Sequence, residues 1–329
     1  MYGVGSKKML NMLILAILEQ YSDREHRLTQ QEIIRLLKIN YDVECDRRSV
    51  KSNLLCLEAM GYDISMENGN YLASRTFEDG ELRLLIDSVL CSKNITNKQA
   101  HELIDKLKSQ GNKYFSPKVS HVCNLPSMHH GDNQQLFYVL EVLNNAISEH
   151  AKVSFTYNAY NTEFKLKPKR AEKYIVNPYQ LVTANGYYYL IGNYDKYDNI
   201  SHYRVDKITD ITQLKEKAKS MKKIQGLEQG LNLPKHMAEH IYMFRGESVL
   251  AELSVPSNMM NELVDWFGKE FRIVSQEAER MVIQVRCNEE AMLYWTLQYG
   301  AYVELLTPLE LRSKVQQIVK DMYAKYIKA

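Results

Sequence analysis

Residues 177–208 read NPYQLVTANGYYYLIGNYDKYDNISHYRVDKI, and this stretch decides the fold of the middle of the chain. Apolar and aromatic runs alternate with turn residues, and the Ala-Asn-Gly triplet at 184–186 is a hairpin signal. Ten of the chain's 23 tyrosines lie between Tyr157 and Tyr203. Aromatic faces set among cations suit the binding of bases and phosphates. The stretch therefore predicts antiparallel strands that carry a binding surface.

Further short strands are predicted on both sides of this hairpin. Each shows alternating or continuous apolar residues and is bounded by turn residues. Five short strands with tight turns are typical of a small antiparallel barrel. The predicted strands are residues 153–157, 164–168, 174–182, 187–192 and 201–205.

Three segments of this region resemble the motifs of WYL domains. Residues 188–190 are similar to the family's Trp-Tyr-Leu signature. Residues 177–181 are similar to its P-x-x-L strand, and residues 203–208 to its F-R-L-D-R-I strand, with agreeing spacing. The chain departs from the pattern at Tyr188, which replaces Trp, and at Lys207, which replaces the second Arg. The change from Arg to Lys at 207 removes a planar guanidinium that could bind a phosphate through two hydrogen bonds.

The resemblance implies an Sm/SH3-like small β-barrel at residues 149–224. In several relatives this barrel senses a single-stranded nucleic acid or a nucleotide. The resemblance places Tyr189, Arg204 and His202 at the ligand site. The order of a winged helix, a WYL domain and a C-terminal extension of the WCX type resembles bacterial WYL transcriptional regulators over nearly the whole chain.

Strand alternation sorts the tyrosines independently of the family. Tyr188 and Tyr189 point to opposite faces of their strand. We expect Tyr189 and Arg204 to form an aromatic–cation pair that faces the ligand, and Tyr188 to lie in the core. Alternatively, all the tyrosines form the core and rim of the barrel, because aromatic residues favour strands. The predicted ligand-binding set is Tyr157, Tyr189, His202, Arg204 and Lys207.

Residues 1–76 are predicted to form a winged helix-turn-helix DNA-binding domain. Thr29 with Glu32 makes a capping box for the second helix, and Asp46 can cap the third. A hairpin signal at 67–69 follows. The predicted helices are Lys7–Tyr21, Gln30–Leu37 and Arg47–Met60.

The third of these helices has the pattern of a recognition helix. Three apolar residues, Val50, Leu54 and Leu57, fall on one helical face. Polar and basic residues near the N-terminus fall on the opposite face or its flank, where phosphates and base edges would be contacted. An ordinary solvated face is the alternative, and an outward apolar residue there, Leu55, has no explanation in polar contacts. The predicted DNA-binding residues are Arg47, Arg48, Ser49, Lys51 and Ser52.

Charge is unevenly distributed, although the chain's net charge is only +2. Residues 1–75 carry 10 basic and 10 acidic side chains, whereas residues 151–225 carry 14 and 7, a net charge of +7. A DNA-binding domain of zero net charge has a modest non-specific attraction to phosphates. We therefore expect a homodimer for tight binding to double-stranded operator DNA.

The remaining parts complete an α+β multidomain chain. Residues 77–148 show helical periodicity and are predicted to be a helical linker or dimerisation region. Residues 225–329 show a βαββα order, which indicates a ferredoxin-like C-terminal domain. The five cysteines are widely spaced without a C-x-x-C pair, and no long apolar run occurs. These features predict a cytoplasmic protein with reduced thiols and no membrane partner.

Two histidine-containing segments raise the alternative of a metal site. Residues 236–240 match the H-x-x-E-H pattern, in which His236 and His240 would bind zinc and Glu239 would act as a base. A third ligand is not evident from the sequence. A looser cluster has spacings that fit no standard site, namely His121, Cys123, His129 and His130. Phosphate-binding, dinucleotide-binding and nucleophile-elbow motifs are missing, so neither an enzyme nor a cofactor is expected.

The sequence thus predicts a transcriptional regulator in which a ligand on the barrel alters operator binding. A repressor is favoured over an activator, because no polymerase-contact feature is visible. One alternative is a single-stranded nucleic-acid-binding accessory factor that does not bind an operator. The other is a zinc-dependent hydrolase at His236 and His240.

Overall fold

The computed structural model describes residues 9–115, 117–119, 131–225 and 227–327. The chain divides into two compact units, residues 1–131 and residues 132–329. Helices and antiparallel sheets are both present, so the predicted mixed α+β content is confirmed. None of the described helices combines the length and apolar character that a membrane span requires.

The first unit begins with three helices and a hairpin, in the predicted order. Thr29 and Glu32 form the predicted capping box, and the Asp46 side chain accepts a hydrogen bond from the Ser49 backbone at 2.7 Å. The second helix runs four residues beyond its predicted end, to Tyr41, and stops where Asp42 adopts a left-handed conformation. The elements are α1 (Leu10–Tyr21), α2 (Gln30–Tyr41), α3 (Arg47–Ala59), β1 (Ile64–Ser65) and β2 (Tyr71–Leu72).

Two further helices, α4 (Asp79–Leu90) and α5 (Asn97–Lys108), follow in the first unit. They bury a core of their own, which is separate from the core of the three-helix segment. The helical prediction for this region therefore agrees with these residues. The histidine and cysteine cluster at 121–130 lies outside the described residues.

The second unit opens with α6 (Leu136–Ser148), which packs on a curled six-stranded antiparallel sheet. The sheet order is β4-β3-β5-β6-β7, and β8 also pairs with β3. Five of the six strands were predicted. The strands are β3 (Ala151–Tyr160), β4 (Leu166–Pro168), β5 (Tyr174–Ala184), β6 (Tyr187–Tyr194), β7 (Ile200–Arg204) and β8 (Ile208–Lys217).

The β5–β6 hairpin is the turn that the opening stretch predicts. Asn185 and Gly186 both have positive φ, 52° and 78°, as a tight hairpin turn requires. Further along the hairpin, Gly192 faces the backbone of Asn177, and a Cβ atom there would lie 2.8 Å from the Asn177 carbonyl oxygen. A glycine at 192 therefore allows β5 and β6 to approach closely.

The rest of the second unit contains a four-stranded antiparallel sheet in the order β10-β11-β9-β12. A strand inserted between two others joined by a helix is a split βαβ arrangement, which agrees with the predicted order. Trp295 and Phe267 lie in the core between this sheet and its helices. The elements are α7 (Leu233–Glu239), β9 (Ser248–Pro256), α8 (Met260–Phe267), β10 (Arg272–Gln276), β11 (Arg280–Asn288), α9 (Glu289–Gln298), β12 (Glu304–Thr307) and α10 (Leu309–Ile327).

Candidate nucleic-acid interface and effector site

The outer face of α3 carries most of the residues predicted to bind DNA. Val50, Leu54 and Leu57 are buried on the inner face. The structure leaves Arg47, Arg48, Lys51 and Ser52 exposed, and Ser49 half-buried. The predicted division of the helix into a core face and a polar face is therefore confirmed.

The cations of this face are available for a partner. Within the described ranges, the side chains of Arg47, Arg48 and Lys51 form no hydrogen bond or close ion pair, and Arg48 interacts with Asp46 through its backbone and its charge. The backbone hydrogen bond from Ser49 is the main cause that lowers the pKa of Asp46, which caps the helix. Leu55 is 47% exposed on the same helix and adds an apolar surface, of a kind that can contact a thymine methyl group.

The turn of the β1–β2 hairpin is anchored to the α1–α2 connection. The Arg27 guanidinium donates a hydrogen bond to the Glu67 carbonyl at 3.0 Å and lies 5.1 Å from the centre of the Tyr71 ring. A Cβ atom on Gly69 would come within 2.8 Å of the Arg27 Cβ, so this close approach requires glycine. The hairpin is therefore held in a defined position beside the three helices.

In the second unit, Arg204, Asp206 and Lys207 form a compact group that we call the Asp206 cluster. Arg204 donates hydrogen bonds from Nε and Nη2 to the two carboxylate oxygens of Asp206, at 3.0 and 2.7 Å. Lys207 Nζ lies 3.6 Å from the same carboxylate, whose side chain is only 5% exposed. The buried Asp206 carboxylate therefore orients both predicted cations, Arg204 and Lys207.

Two tyrosine rings lie against the cations of the Asp206 cluster. The Arg204 guanidinium lies 3.5 Å from the centre of the Tyr187 ring, and Lys207 Nζ lies 3.5 Å from the centre of the Tyr160 ring. Tyr160 in turn donates a hydrogen bond from its hydroxyl to Asp132 at 2.6 Å. The arrangement supplies stacked aromatic faces and positive charge together, as recognition of bases and phosphates requires.

Burial affects the two cations of the cluster differently. Burial disfavours the charge on Arg204, but its hydrogen bonds to Asp206 outweigh this effect and raise its pKa. Burial lowers the pKa of Lys207, and the attraction of Asp206 offsets this only in part. A guanidinium has five N–H donors, so Arg204 keeps donors for a ligand after it binds Asp206. Arg204 is therefore more strongly oriented than Lys207, and its positive charge is the more stable of the two.

Tyr189 and Arg204 are neighbours as predicted, but the Arg204 guanidinium does not stack on the Tyr189 ring. Tyr189 and Arg204 are directly opposite on β6 and β7, but the long Arg204 side chain extends along the sheet and stacks on Tyr187 instead. Tyr189 is covered by an apolar cluster that includes Met243 and Leu233. Tyr188, which was expected in the core, is only half-buried.

Tyr157 supports the site from within the curled sheet. Its hydroxyl accepts a hydrogen bond from the Arg204 backbone N–H at 3.1 Å, and burial raises its pKa to about 12. Its ring packs edge-on against the rings of Phe155, Tyr174 and Tyr203. Many of the tyrosines thus form an aromatic core, as the alternative interpretation proposed, whereas Tyr187 and Tyr160 lie against the cations.

His202 belongs to a different group from the Asp206 cluster. Its Nε2 atom lies 2.8 Å from Nε2 of His236, and the His240 ring is also adjacent. The H-x-x-E-H pattern indicated His236 and His240 without a third histidine. In the structure, His202 is the third histidine beside them. Glu239, the expected base, instead lies 3.4 Å from Arg286 and 3.9 Å from Lys235.

Three residues in or against the Asp206 cluster were missed from the sequence, namely Asp206, Tyr187 and Tyr160. An acidic residue between two cations in Arg-Val-Asp-Lys was a usable signal for Asp206. The two tyrosines follow only from side-chain directions in the folded sheet.

Comparison with known proteins identifies the middle of the chain. The WYL domain family matches residues 138–213, so the chain contains a WYL domain. No curated protein sequence matches the chain.

Two solved structures show distant similarity to the chain. One is the proteasome accessory factor B/C (PafBC) of Arthrobacter aurescens, with 12% identity and a TM-score of 0.29, over 99% of this chain and 50% of that chain. This chain therefore spans about half the length of that protein. Another is a CRISPR Cas-related protein, with 12% identity and a TM-score of 0.37, over 98% of this chain and 86% of that chain.

Proposed function

We propose that this protein is a DNA-binding transcriptional regulator whose WYL domain senses a nucleic-acid or nucleotide ligand. The observation that carries the proposal is the outer face of α3, where Arg47, Arg48 and Lys51 are exposed and form no ion pair in the described part of the chain. Exposed cations at the start of a helix are suited to contact phosphates and base edges in a major groove.

The proposal assigns a domain type to each region. Residues 1–76 would be a winged helix-turn-helix, in which α3 is the recognition helix and the β1–β2 hairpin is the wing. The curled sheet would be the Sm/SH3-like barrel of the WYL domain, and residues 225–329 would be a ferredoxin-like extension. Helix order and the anchored hairpin support the first assignment, and the split βαβ order supports the last.

The Asp206 cluster is the proposed effector site. Arg204 is oriented by Asp206 and stacked on Tyr187, so its remaining donors are fixed in direction before a ligand arrives. Fixed donors lose less conformational entropy on binding. Lys207 above Tyr160 adds a second cation beside an exposed aromatic ring. A nucleotide or a single-stranded nucleic acid would place its phosphate on the cations and its base on an aromatic face.

Control of DNA binding requires that the effector prefers one state of the protein. In a homodimer, a ligand changes operator affinity only if it binds the DNA-competent and DNA-incompetent arrangements unequally. We propose a homodimer, since the zero net charge of residues 1–75 limits the attraction of a single copy to DNA. We propose a repressor, since the sequence shows no polymerase-contact feature.

The proposal is tested by the salt dependence of duplex binding. Fluorescence anisotropy would be measured with fragments of the DNA upstream of the protein's own gene, for the parent and for Arg48→Ala with Lys51→Ala. We expect a specific fragment to bind, and the slope of log affinity against log salt to fall by about 2 when two phosphate contacts are lost. The matched control removes two exposed lysines of α5, Lys98→Ala with Lys106→Ala, and should leave the slope unchanged.

Two results would argue against the proposal. If the α3 variant bound the duplex as the parent does, α3 would not be the recognition helix. If the parent bound single-stranded oligonucleotides but no duplex, the chain would instead be an accessory factor that uses the WYL domain alone.

A further inference from the structure

Three histidines from distant parts of the second unit meet at one point. His202 lies on β7, His236 lies on α7, and His240 follows the end of that helix. One ring nitrogen from each lies within 4.8 Å of the others. The His236 and His240 rings are stacked with their centres 4.1 Å apart. A helix thus places two imidazoles one turn apart, and the sheet supplies a third opposite them.

All three histidine side chains are largely removed from solvent, and burial lowers the pKa of each. A metal ion takes the lone pair of a neutral imidazole nitrogen.

Hydrogen bonds orient two of these rings toward the shared point. Nδ1 of His240 lies 3.0 Å from the His236 carbonyl oxygen, and donation there leaves the lone pair of the neutral ring on Nε2. A backbone carbonyl that holds the second nitrogen of a histidine is a common support for metal ligands. The Nε2 atoms of His202 and His236 face each other at 2.8 Å.

The protein's own hydrogen bonds do not satisfy this cluster. Nδ1 of His202 is buried and forms no hydrogen bond of good geometry in the ranges that the structure describes, although the Phe244 backbone lies near enough to act on the pKa of the ring. A buried polar nitrogen without a partner is costly and calls for an explanation. A cavity of about 820 Å³ adjoins all three histidines and provides space for an additional ligand beside them.

We propose that His202, His236 and His240 bind a divalent transition-metal ion of the zinc class. Zinc–nitrogen distances of about 2.0–2.1 Å place tetrahedral ligands about 3.3 Å from one another. The present separations bracket this value, so small side-chain movements are sufficient. The fourth ligand would be a water molecule on the cavity side. Imidazole sets of this kind suit zinc, copper and nickel rather than magnesium or calcium.

The proposed role of this site is metal binding rather than hydrolysis, because two cations lie beside the carboxylate that would act as the base. Glu239, which the H-x-x-E-H pattern makes the base, is held between Arg286 and Lys235. A bound metal would instead join β7 of the WYL domain to the α7 segment, which leads into the four-stranded sheet. Metal binding would therefore add a link between the two sheets to the contacts already present, which include the hydrogen bond from the Asn185 side chain to the Ile241 carbonyl. This inference does not depend on DNA binding.

The test is cobalt and zinc binding to the full chain after chelator treatment. We expect one equivalent of Co²⁺ to produce the intense visible absorption of a four-coordinate site, and Zn²⁺ to abolish it by displacement. The melting temperature should rise with Zn²⁺, since the ion binds only the folded state. His202→Ala and, separately, His236→Gln should each weaken binding by at least about 100-fold, beyond the 10–100-fold typical of supporting residues.

The controls separate this site from others. His101→Ala removes an exposed histidine of α5 and should leave Co²⁺ absorption and the Zn²⁺-dependent melting shift unchanged. The metal-free melting temperatures of the variants show whether they fold, and His236→Gln keeps the size and polarity of the buried side chain. The proposal is overturned if the parent binds no stoichiometric metal. It is equally overturned if binding survives both substitutions, as it would at the His121 and Cys123 segment.

Discussion

The outer face of α3 and the Asp206 cluster both present cations, but they hold them in different ways. The side chains of Arg48 and Lys51 extend into solvent without a hydrogen bond or close ion pair in the described chain, whereas Arg204 is bound to Asp206 and stacked on Tyr187. Unpaired exposed cations attract any polyanion and follow its flexible backbone. A cation fixed by a buried carboxylate and an aromatic ring selects a ligand by shape and direction. The comparison therefore separates a surface suited to DNA from a site suited to a small anionic effector.

The largest effect is expected from removing the carboxylate that orients the cluster. Asp206→Ala leaves two partly buried cations without their partner, and loss of one partner of a buried pair costs about 3 kcal/mol of unfolding free energy. Chemical denaturation of the variant would measure this loss. Asp210→Asn is the matched control, because Asp210 is exposed and Asn tolerates its positive φ of 50°. A change below about 1 kcal/mol for Asp206→Ala would mean that the pair carries little of the fold.

A second large effect is expected at the outer face of α3, where substitutions should weaken duplex binding without lowering the stability of the fold. Arg48→Ala with Lys51→Ala should weaken binding to the preferred duplex by about 100-fold, since each base or phosphate contact contributes about 1–3 kcal/mol. Both residues are exposed, so the melting temperature should remain within about 2 °C of the parent value. A fall in stability equal to that of Asp206→Ala would contradict the distinction between the two regions.

The smallest effect is expected from replacing Tyr187, whose ring stacks against the Arg204 guanidinium. Tyr187→Leu keeps an apolar side chain but removes the ring below Arg204, and a cation–π contact contributes about 0.5–2 kcal/mol. Binding of a fluorescent single-stranded oligonucleotide or nucleotide should weaken by about 2- to 30-fold. Tyr188→Leu alters the neighbouring tyrosine on the opposite face and should change this affinity by less than about 2-fold. Equal losses in both variants would remove Tyr187 from the effector site.

Local signals predicted the helical part of the chain well. The capping residues Thr29 and Asp46 lie next to the helices that they begin, so they are visible in a few residues of sequence. The end of α2 was placed too early, because its stop is an aspartate in the left-handed conformation and not a glycine.

The sheet was less predictable, because its strands are irregular. β8 pairs with β3 across two register shifts, which break the alternation of buried and exposed residues on which strand prediction depends. The hairpin of β5 and β6 was predicted because Asn185 and Gly186 are a strong and strictly local turn signal.

The sequence predicted which kinds of residue form the site, but it did not predict which side chains contact one another. Alternation placed Tyr187, Tyr189 and Arg204 on one face, yet it could not show that segment 231–243 covers Tyr189 and leaves Tyr187 to Arg204. The contact between His202 and His236 joins residues 34 positions apart and depends on how α7 packs on the sheet. Contacts of this kind depend on tertiary packing, which a local pattern does not contain.

The most direct test of the central claim is duplex binding measured with and without a single-stranded oligonucleotide effector in Arg204→Ala. Lys165→Ala, which removes an exposed lysine of the same domain, is the control. We expect Arg204→Ala to bind the duplex with parental affinity and no longer to respond to the effector, whereas the parent and Lys165→Ala respond. A full effector response in Arg204→Ala would contradict the assignment of the Asp206 cluster as the sensor.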